Sequence, residues 1–473
     1  MGIIGAMVAS IGSGAVLQTY IEDVCSINVR TGTGATAVQS VGVDLSGHAG
    51  MIWTKGRSGA TSHKITDTKR GVTKAWSSDS TAADATDTNG ITAFSGSGYT
   101  VGSDSNYNTN AATYVDWVFR EDPKFLSITQ YTGDNVSTGR AISHSLAAAP
   151  GMVMIVCDDV ITAHYVWHRS CTSGKYLVLN TTAAESNTSA ATFFGNGSTT
   201  VDPSSSAVTV GLGLNITGQH YTVYCFAHDT SATGLIQCGS FTTDGSGNAS
   251  VTLGWEPQYL MDKYTSGVSA WGLFDSMRGM SQTNDQYLLA NTSGAEASET
   301  VIRPTATGFN VVGESATSTI IYLAIRRGPM KLPTVGAQVY NANASTGTGA
   351  ARTVSTIGFP PDLITFEPRN AAGYNRVWMN RLCGSNQILI TDSTLGTSAE
   401  ANAPGWGIFG MDGWSMTTAY QSNNESASVN YVYHCFRRYP GVFDEVCYTG
   451  TGSNKTETHN LTVAPELWMV KGR

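Results

Sequence analysis

Residues 221–229 read YTVYCFAHD, and the same kind of run returns as YVDWVFRED at 114–122, IYLAIRRGP at 321–329 and YVYHCFRRYP at 431–440. Each is rich in aromatic and β-branched residues and is closed by charge or proline, as a buried strand would be. Superposing Phe119, Phe226, Ile325 and Phe436 gives a spacing of roughly 100–110 residues. That is longer than solenoid repeats and close to the size of a small domain.

A second run recurs at the same spacing: VDLSGHAGMIWTKGR from Val43, HSLAAAPGMVMIV from His144, LGWEPQYLMDK from Leu253, IGFPPDLITFEP from Ile357 and NLTVAPELWMVKGR from Asn460. Pro150, Pro257, Pro361 and Pro465 hold matching places, with Ala49 in the first copy. Proline before an apolar run suits a strand start, where its missing N–H costs least. A third run, built around Trp167, Trp271 and Trp378, joins a tryptophan, a basic residue, a polar turn and a Leu-x-x-Asn-Thr-like close; the copy around Trp76 is more diverged. Upstream of each proline block lies a Gly-rich turn such as VRTGTGATAV or FTTDGSGNAS, which reads as a hairpin tip.

The predicted fold is therefore all-β, a tandem array of jelly-roll-like β-sandwich repeats behind a short apolar N-terminal segment. The expected units are an N-terminal segment at 1–23, repeats at 24–124, 125–232, 233–332 and 333–440, and a partial fifth repeat at 441–473. Half a sandwich cannot bury its own face, so the partial repeat points to a longer gene product or to pairing with a neighbouring chain, the former being favoured. Strung end to end, such repeats would make an elongated rod.

Composition narrows the function. The 473 residues carry a formal net charge of −8, charged residues are 13%, and Gly is 52. An acidic chain of low charge lacks the basic face of a nucleic-acid binder. Few charges with much Gly, Ser, Thr and Asn also disfavour a helical protein. Met1 to Tyr20 has no charged side chain, so it lacks the basic start of a secretory signal. It reads best as an apolar segment that docks on a partner. The eight cysteines form no CxxC pair, which argues against zinc. Cys225 with Cys238, and Cys435 with Cys447, could staple domain junctions; buried free thiols are the favoured reading.

Motifs that carry chemistry are weak. His164 and His168 share a strand face near Asp158 and Asp159, but Tyr165 breaks the HExxH pattern, and decoration of the strand is the favoured reading. Asp244, Gly245, Gly247 and Asn248 resemble a calcium loop without its spacing, and read as a turn. Asp275, Glu296 and Glu314 are the candidate carboxylates for glycoside hydrolysis, with structural placement favoured. Trp167, Trp271 and Trp378 could stack on sugars, but their recurrence favours core packing. The Asn-x-Ser/Thr strings at Asn180 and Asn291 follow from composition. No catalytic, cofactor-binding or metal residue is predicted.

The ordered blocks YTG…STGRAISHSLAAAPGMVMIV…W…GKYLVLNTTAAE…YTVYCFAHD resemble a repeated domain of uncharacterised function in virion proteins of tailed phages, marine ones especially. Residues 126–330 match best, the fourth copy to Arg438 is looser, and the first is the most diverged. The resemblance implies a tail-fibre, tail-spike or capsid-decoration component. It supplies no catalytic residues. The expectation is a structural, non-enzymatic virion protein without cofactors, assembled in the host cytoplasm and exposed on the particle. Residues 1–23 would bind other virion proteins, and the repeats would reach a host-surface glycan or receptor. Phage fibres suggest a homotrimer. The alternatives are a capsid decoration protein and a non-viral carbohydrate-binding adhesin. A depolymerase would need two carboxylates within about 5–10 Å of each other in a groove.

Overall fold

The computed structural model describes residues 18–384, 387–393, 408–417, 424 and 427–472. The fold is a β-sandwich repeat array. In every repeat the closing strand sits in the middle of the main sheet. Repeat 1 orders Cys25–Thr31, Thr113–Arg120, Gly50–Gly56 and Lys64–Asp67. Repeat 2 orders Leu126–Thr132, His220–Ala227, Pro150–Cys157, Tyr165–His168 and Leu177–Val178. Repeat 3 begins Ile236–Thr242, Thr319–Arg326, Pro257–Tyr264, Gly272–Asp275. Repeat 4 begins Tyr340–Thr346, Asn430–Phe436, Leu363–Pro368, Val377–Asn380. All of these pairings are antiparallel.

The sequence superposition holds at the level of register. Phe119 pairs with Cys25 and Met51, Phe226 with Leu126 and Met152, Ile325 with Ile236 and Tyr259, and Phe436 with Tyr340 and Leu363. Pro150, Pro257 and Pro361 stand two residues before Met152, Tyr259 and Leu363, and Ala49 two before Met51.

The Gly-rich turns are not hairpin tips. The strands on either side of each turn belong to different sheets: Ala37–Ser40, Arg140–Ser143, Ala249–Thr252 and Arg352–Val354 pair in the second, smaller sheets. Glycine is needed there because the chain leading into the closing strand passes close by. A Cβ on Gly32 would lie 2.1 Å from the Thr109 carbonyl oxygen, and one on Gly133 would lie 2.0 Å from that of Ile216. The tryptophans are not equivalent either. Trp167 lies opposite Val153, Trp378 opposite Thr365, and Trp271 just before its strand. One residue of slip reverses the face a side chain occupies, so a shared letter did not mean a shared place.

Strand periodicity sends alternate side chains to opposite faces. In repeat 1, Ile52 and Val118 face the second sheet and pack with Ile91, Tyr99 and Val101. Met51, Trp53, Trp117 and Phe119 face the other way, into a core shared with Met152, Met154 and Phe226 of repeat 2 and Tyr259, Met261 and Leu323 of repeat 3. Both faces of these sheets are covered. This explains why Gly50–Gly56 and Pro150–Cys157 are buried along their whole length and why Pro150–Cys157 reads as an unbroken apolar run.

The first three repeats thus close into a ring, and the expected rod is not formed. Trp53, Phe119, Met154, Phe226, Tyr259, Met261 and Leu323 line a small apolar cavity at its centre. Repeat 4 is attached outside the ring by buried charge. Its Arg438 donates to both carboxylate oxygens of Glu256 at 2.9 Å and, through its backbone N–H, to Asp362 at 2.7 Å. Arg327 and Arg381 join Asp362 at 3.5 Å each.

Within the expected 1–23 segment, residues 1–17 lie outside the described residues. Ile21 and Val24, just after them, are buried in the ring core, and Lys331 bonds Asp23 at 2.5 Å. The tail at 441–472 forms no strand, so the expected strands of a fifth repeat are not present there.

Candidate functional site in repeat 2

The histidines singled out in the sequence hold the ring together. His164 of repeat 2 donates from Nε2 to the Ser77 carbonyl of repeat 1 at 3.1 Å; a carbonyl only accepts, so that nitrogen carries the proton. His63 of repeat 1 donates likewise to the Leu289 carbonyl of repeat 3 at 3.0 Å, and Trp271 of repeat 3 donates from Nε1 to the Val178 carbonyl of repeat 2 at 3.1 Å. The three donors are register equivalents. Each offers its own backbone N–H to Asp79, Asn180 or Asn291, and each accepting carbonyl lies two residues before one of those same side chains. Burial pushes His164 and His168 down to about 4 and His63 well below the usual imidazole range.

A second cycle lies beside the first. Tyr224 of repeat 2 donates to Asp67 of repeat 1 at 2.6 Å, Trp117 of repeat 1 to Asp275 of repeat 3 at 2.9 Å, and His168 of repeat 2 to the Tyr322 carbonyl of repeat 3 at 3.1 Å. Asp67 and Asp275 each hold an arginine three residues on, Arg70 at 2.6 Å and Arg278 at 2.5 Å.

The structure brings Asp275 and Glu296 together, but around Arg278, which contacts both; Arg57 adds a two-pronged contact to Glu296. Asp275 is fully buried, so this pair is a seam between repeats 1 and 3 and not a groove. Glu314 lies elsewhere and accepts from the Tyr264 hydroxyl. Asp244 caps its turn by accepting from the Ser246 and Asn248 backbones. Cys225, Cys238 and Cys435 are free thiols, so neither proposed staple forms. Among the described residues no group of three His, Cys, Asp or Glu is placed to hold a metal ion, and no helix is long and apolar enough to cross a membrane.

Trp167 and Trp378 are both half-buried, and Trp167 stands beside a cleft. Trp167 stands on Tyr165–His168, on the face turned away from the ring. The cleft is lined by Trp167, Lys175, Tyr176, Phe194, Thr200 and Asp202, with Gly174 and Ala190. The indole N–H donates to Asp202 Oδ1 at 3.2 Å, which fixes the ring plane and leaves the second carboxylate oxygen as an acceptor. Behind it, Phe193 stacks on Tyr165 at 4.0 Å between ring centroids and meets Tyr176 edge-on at 5.2 Å. Lys175 is held by Glu185 at 3.0 Å. Burial works to raise Glu185, but bonds from Thr172 and the Lys175 charge outweigh it and hold this carboxyl below its usual range. An aromatic plate with a carboxylate, an ammonium and a hydroxyl at its rim can stack the apolar face of a sugar ring and bond its hydroxyls.

Sequence reasoning named Trp167 but missed Asp202, Lys175 and the Phe193–Phe194 pair. The available signal was that aromatic pair in the irregular stretch before the closing strand. It also missed a cluster of carboxylates in repeat 3. Asp262 is pushed up to about 7 by burial and by the charges of Glu314 and Glu299, and Glu299 to about 7 by burial and by Glu314 and Asp285.

Two stretches of the chain, 22–329 and 336–473, match the family model described as a domain of unknown function (DUF7483). The break falls in the linker after repeat 3. No curated protein matches.

Proposed function

The chain belongs to the DUF7483 family; we propose that it is a structural virion protein of a tailed phage, a fibre- or spike-type appendage that meets host-surface glycans through the repeat 2 cleft. The observation that carries the binding part is the Trp167–Asp202 pair, an oriented and accessible indole with an acceptor at its edge. The virion part rests on the resemblance of the repeat blocks to phage proteins. Three supports fit it. The ring is a block braced on every seam by buried hydrogen bonds, suited to an exposed particle surface. Its charged residues are few for its size. The proposed attachment segment, 1–23, joins the ring core at Ile21.

The reading is of binding, not catalysis, because the paired carboxylates Asp275 and Glu296 are taken up by arginines. A glycan array with the purified chain tests it, alongside Trp167→Ala and Asp202→Ala. Binding to a restricted glycan set that falls at least tenfold in both variants supports the reading. No binding at any glycan density, or binding indifferent to both changes, overturns it.

A further inference from the structure

The repeat 2 cleft holds a carboxylate whose charge is not balanced. Lys175 Nζ lies 3.0 Å from Glu185 Oε1, and the Glu185 carboxylate also accepts from the Thr172 backbone N–H at 2.9 Å and from the Thr172 hydroxyl. The Glu185 side chain is 7% exposed, so the ammonium at the rim is matched by a buried, fixed counter-charge. Asp202 is placed differently. It is exposed, and its Oδ1 accepts from the Trp167 indole N–H. An indole N–H is a neutral donor and cancels no charge. Among the described residues Asp202 has no ion-pair partner, so the cleft is left with one net negative charge at the edge of its aromatic plate.

The other polar groups suit hydroxyls. Lys175 has three N–H donors and spends one on Glu185, which leaves two. The Thr200 hydroxyl, also at the cleft, can both donate and accept. The Tyr176 hydroxyl is already engaged, donating to the Thr188 carbonyl at 3.2 Å. A sugar hydroxyl donates and accepts, so it satisfies Asp202, Lys175 and Thr200 alike. A sugar carboxylate only accepts. It gains the ammonium by competing with Glu185, and it meets Asp202 as a like charge. The indole and Asp202 are 3.2 Å apart at their bonded atoms, so a ring stacked on Trp167 brings its edge substituents to that carboxylate.

We propose that the cleft selects uncharged pyranoses and refuses sugars that carry a carboxylate, with Asp202 setting the choice. This deepens the glycan reading and rests on it. The pyranose lays its C–H face on Trp167, one edge hydroxyl donates to the free oxygen of Asp202, and Lys175 donates to a second hydroxyl. A hydroxyl donating to a carboxylate makes a charge-assisted bond, whereas two carboxylates at that spacing repel. The whole chain's net charge of −8 also repels an anionic sugar, but charges more than about 10 Å away are screened at 0.1 M salt. The choice is therefore local.

The probes are the methyl glycosides of glucose, galactose and mannose, each paired with the uronate that differs from it only at C6. They are titrated by ligand-observed NMR against the whole chain in 0.1 M salt. At least one neutral glycoside should bind saturably, and its uronate partner at least threefold more weakly. Asp202→Asn keeps an acceptor oxygen without the charge. It should weaken the neutral sugar and strengthen the uronate, so that the gap falls below twofold. Trp167→Ala should abolish binding of both. Equal binding within each pair, or a gap that persists in Asp202→Asn, overturns this inference and leaves a Trp167-dependent glycan site standing. No binding by any of the six up to their solubility also overturns it, and a silent glycan array in addition overturns the glycan reading beneath it.

Discussion

Tyr224 of repeat 2 donates its hydroxyl to the buried carboxylate of Asp67 in repeat 1, which is also gripped by Arg70. The two residues are 157 positions apart in the chain. Every seam of the ring is closed by a contact of this kind, in which one repeat completes the hydrogen bonding of another. Tyr224→Phe removes a donor and leaves one acceptor of a buried carboxylate unmet, so a loss of about 1–3 kcal/mol is expected. Asp67→Ala strands the Arg70 guanidinium and should cost more, about 3–5 kcal/mol. Chemical denaturation checks both, and repeats 1–3 should unfold in one transition.

Acid should loosen the ring through its histidines. His164 and His168 titrate near 4 when folded, against an ordinary 6.5, because burial disfavours the imidazolium. A depressed folded value means their contribution is complete above about pH 6.5 and is lost as pH falls toward about 4. Replacing both with Asn should flatten the stability slope in that window. Urea midpoints measured from pH 7 down to pH 4 decide it.

The repeat 3 carboxylates act with the opposite sign. Asp262 and Glu299 are raised to about 7, so the stability they favour is present below about pH 4 and is lost as pH rises through 7. Asp262→Asn with Glu299→Gln should raise the melting temperature at pH 8 and leave it nearly unchanged at pH 4. A double variant no more stable at pH 8 than the parent contradicts this.

Repeat 4 should detach when its buried arginine is removed. Arg438→Met leaves Glu256 without its two-pronged partner, an expected loss of about 3–5 kcal/mol at the junction. Limited proteolysis should then cut in the 328–336 linker, with the ring itself resistant.

The repeat was legible because Phe119, Phe226 and Phe436 mark the middle of each sheet and the prolines mark one neighbour. The ring was written in the same strands and went unread. MVMIVC at 152–157 does not alternate, which means that both of its faces are buried. An isolated sandwich open to solvent on its outer face would have alternated. The two sheets of each repeat were hidden because a Gly-rich turn reads alike whether it folds a strand back or carries it across to the second sheet. Tryptophans were misaligned because the letter is conspicuous and the register is not. The cleft was only partly visible, since Asp202 reaches Trp167 across a separation of 35 residues.

Small-angle X-ray scattering of the monomeric whole chain tests the ring most directly. Three closed repeats with repeat 4 attached should give a radius of gyration of about 23–26 Å, near the value for a compact chain of this length. A value of about 35 Å or more, as expected for four small domains strung end to end, would contradict the ring.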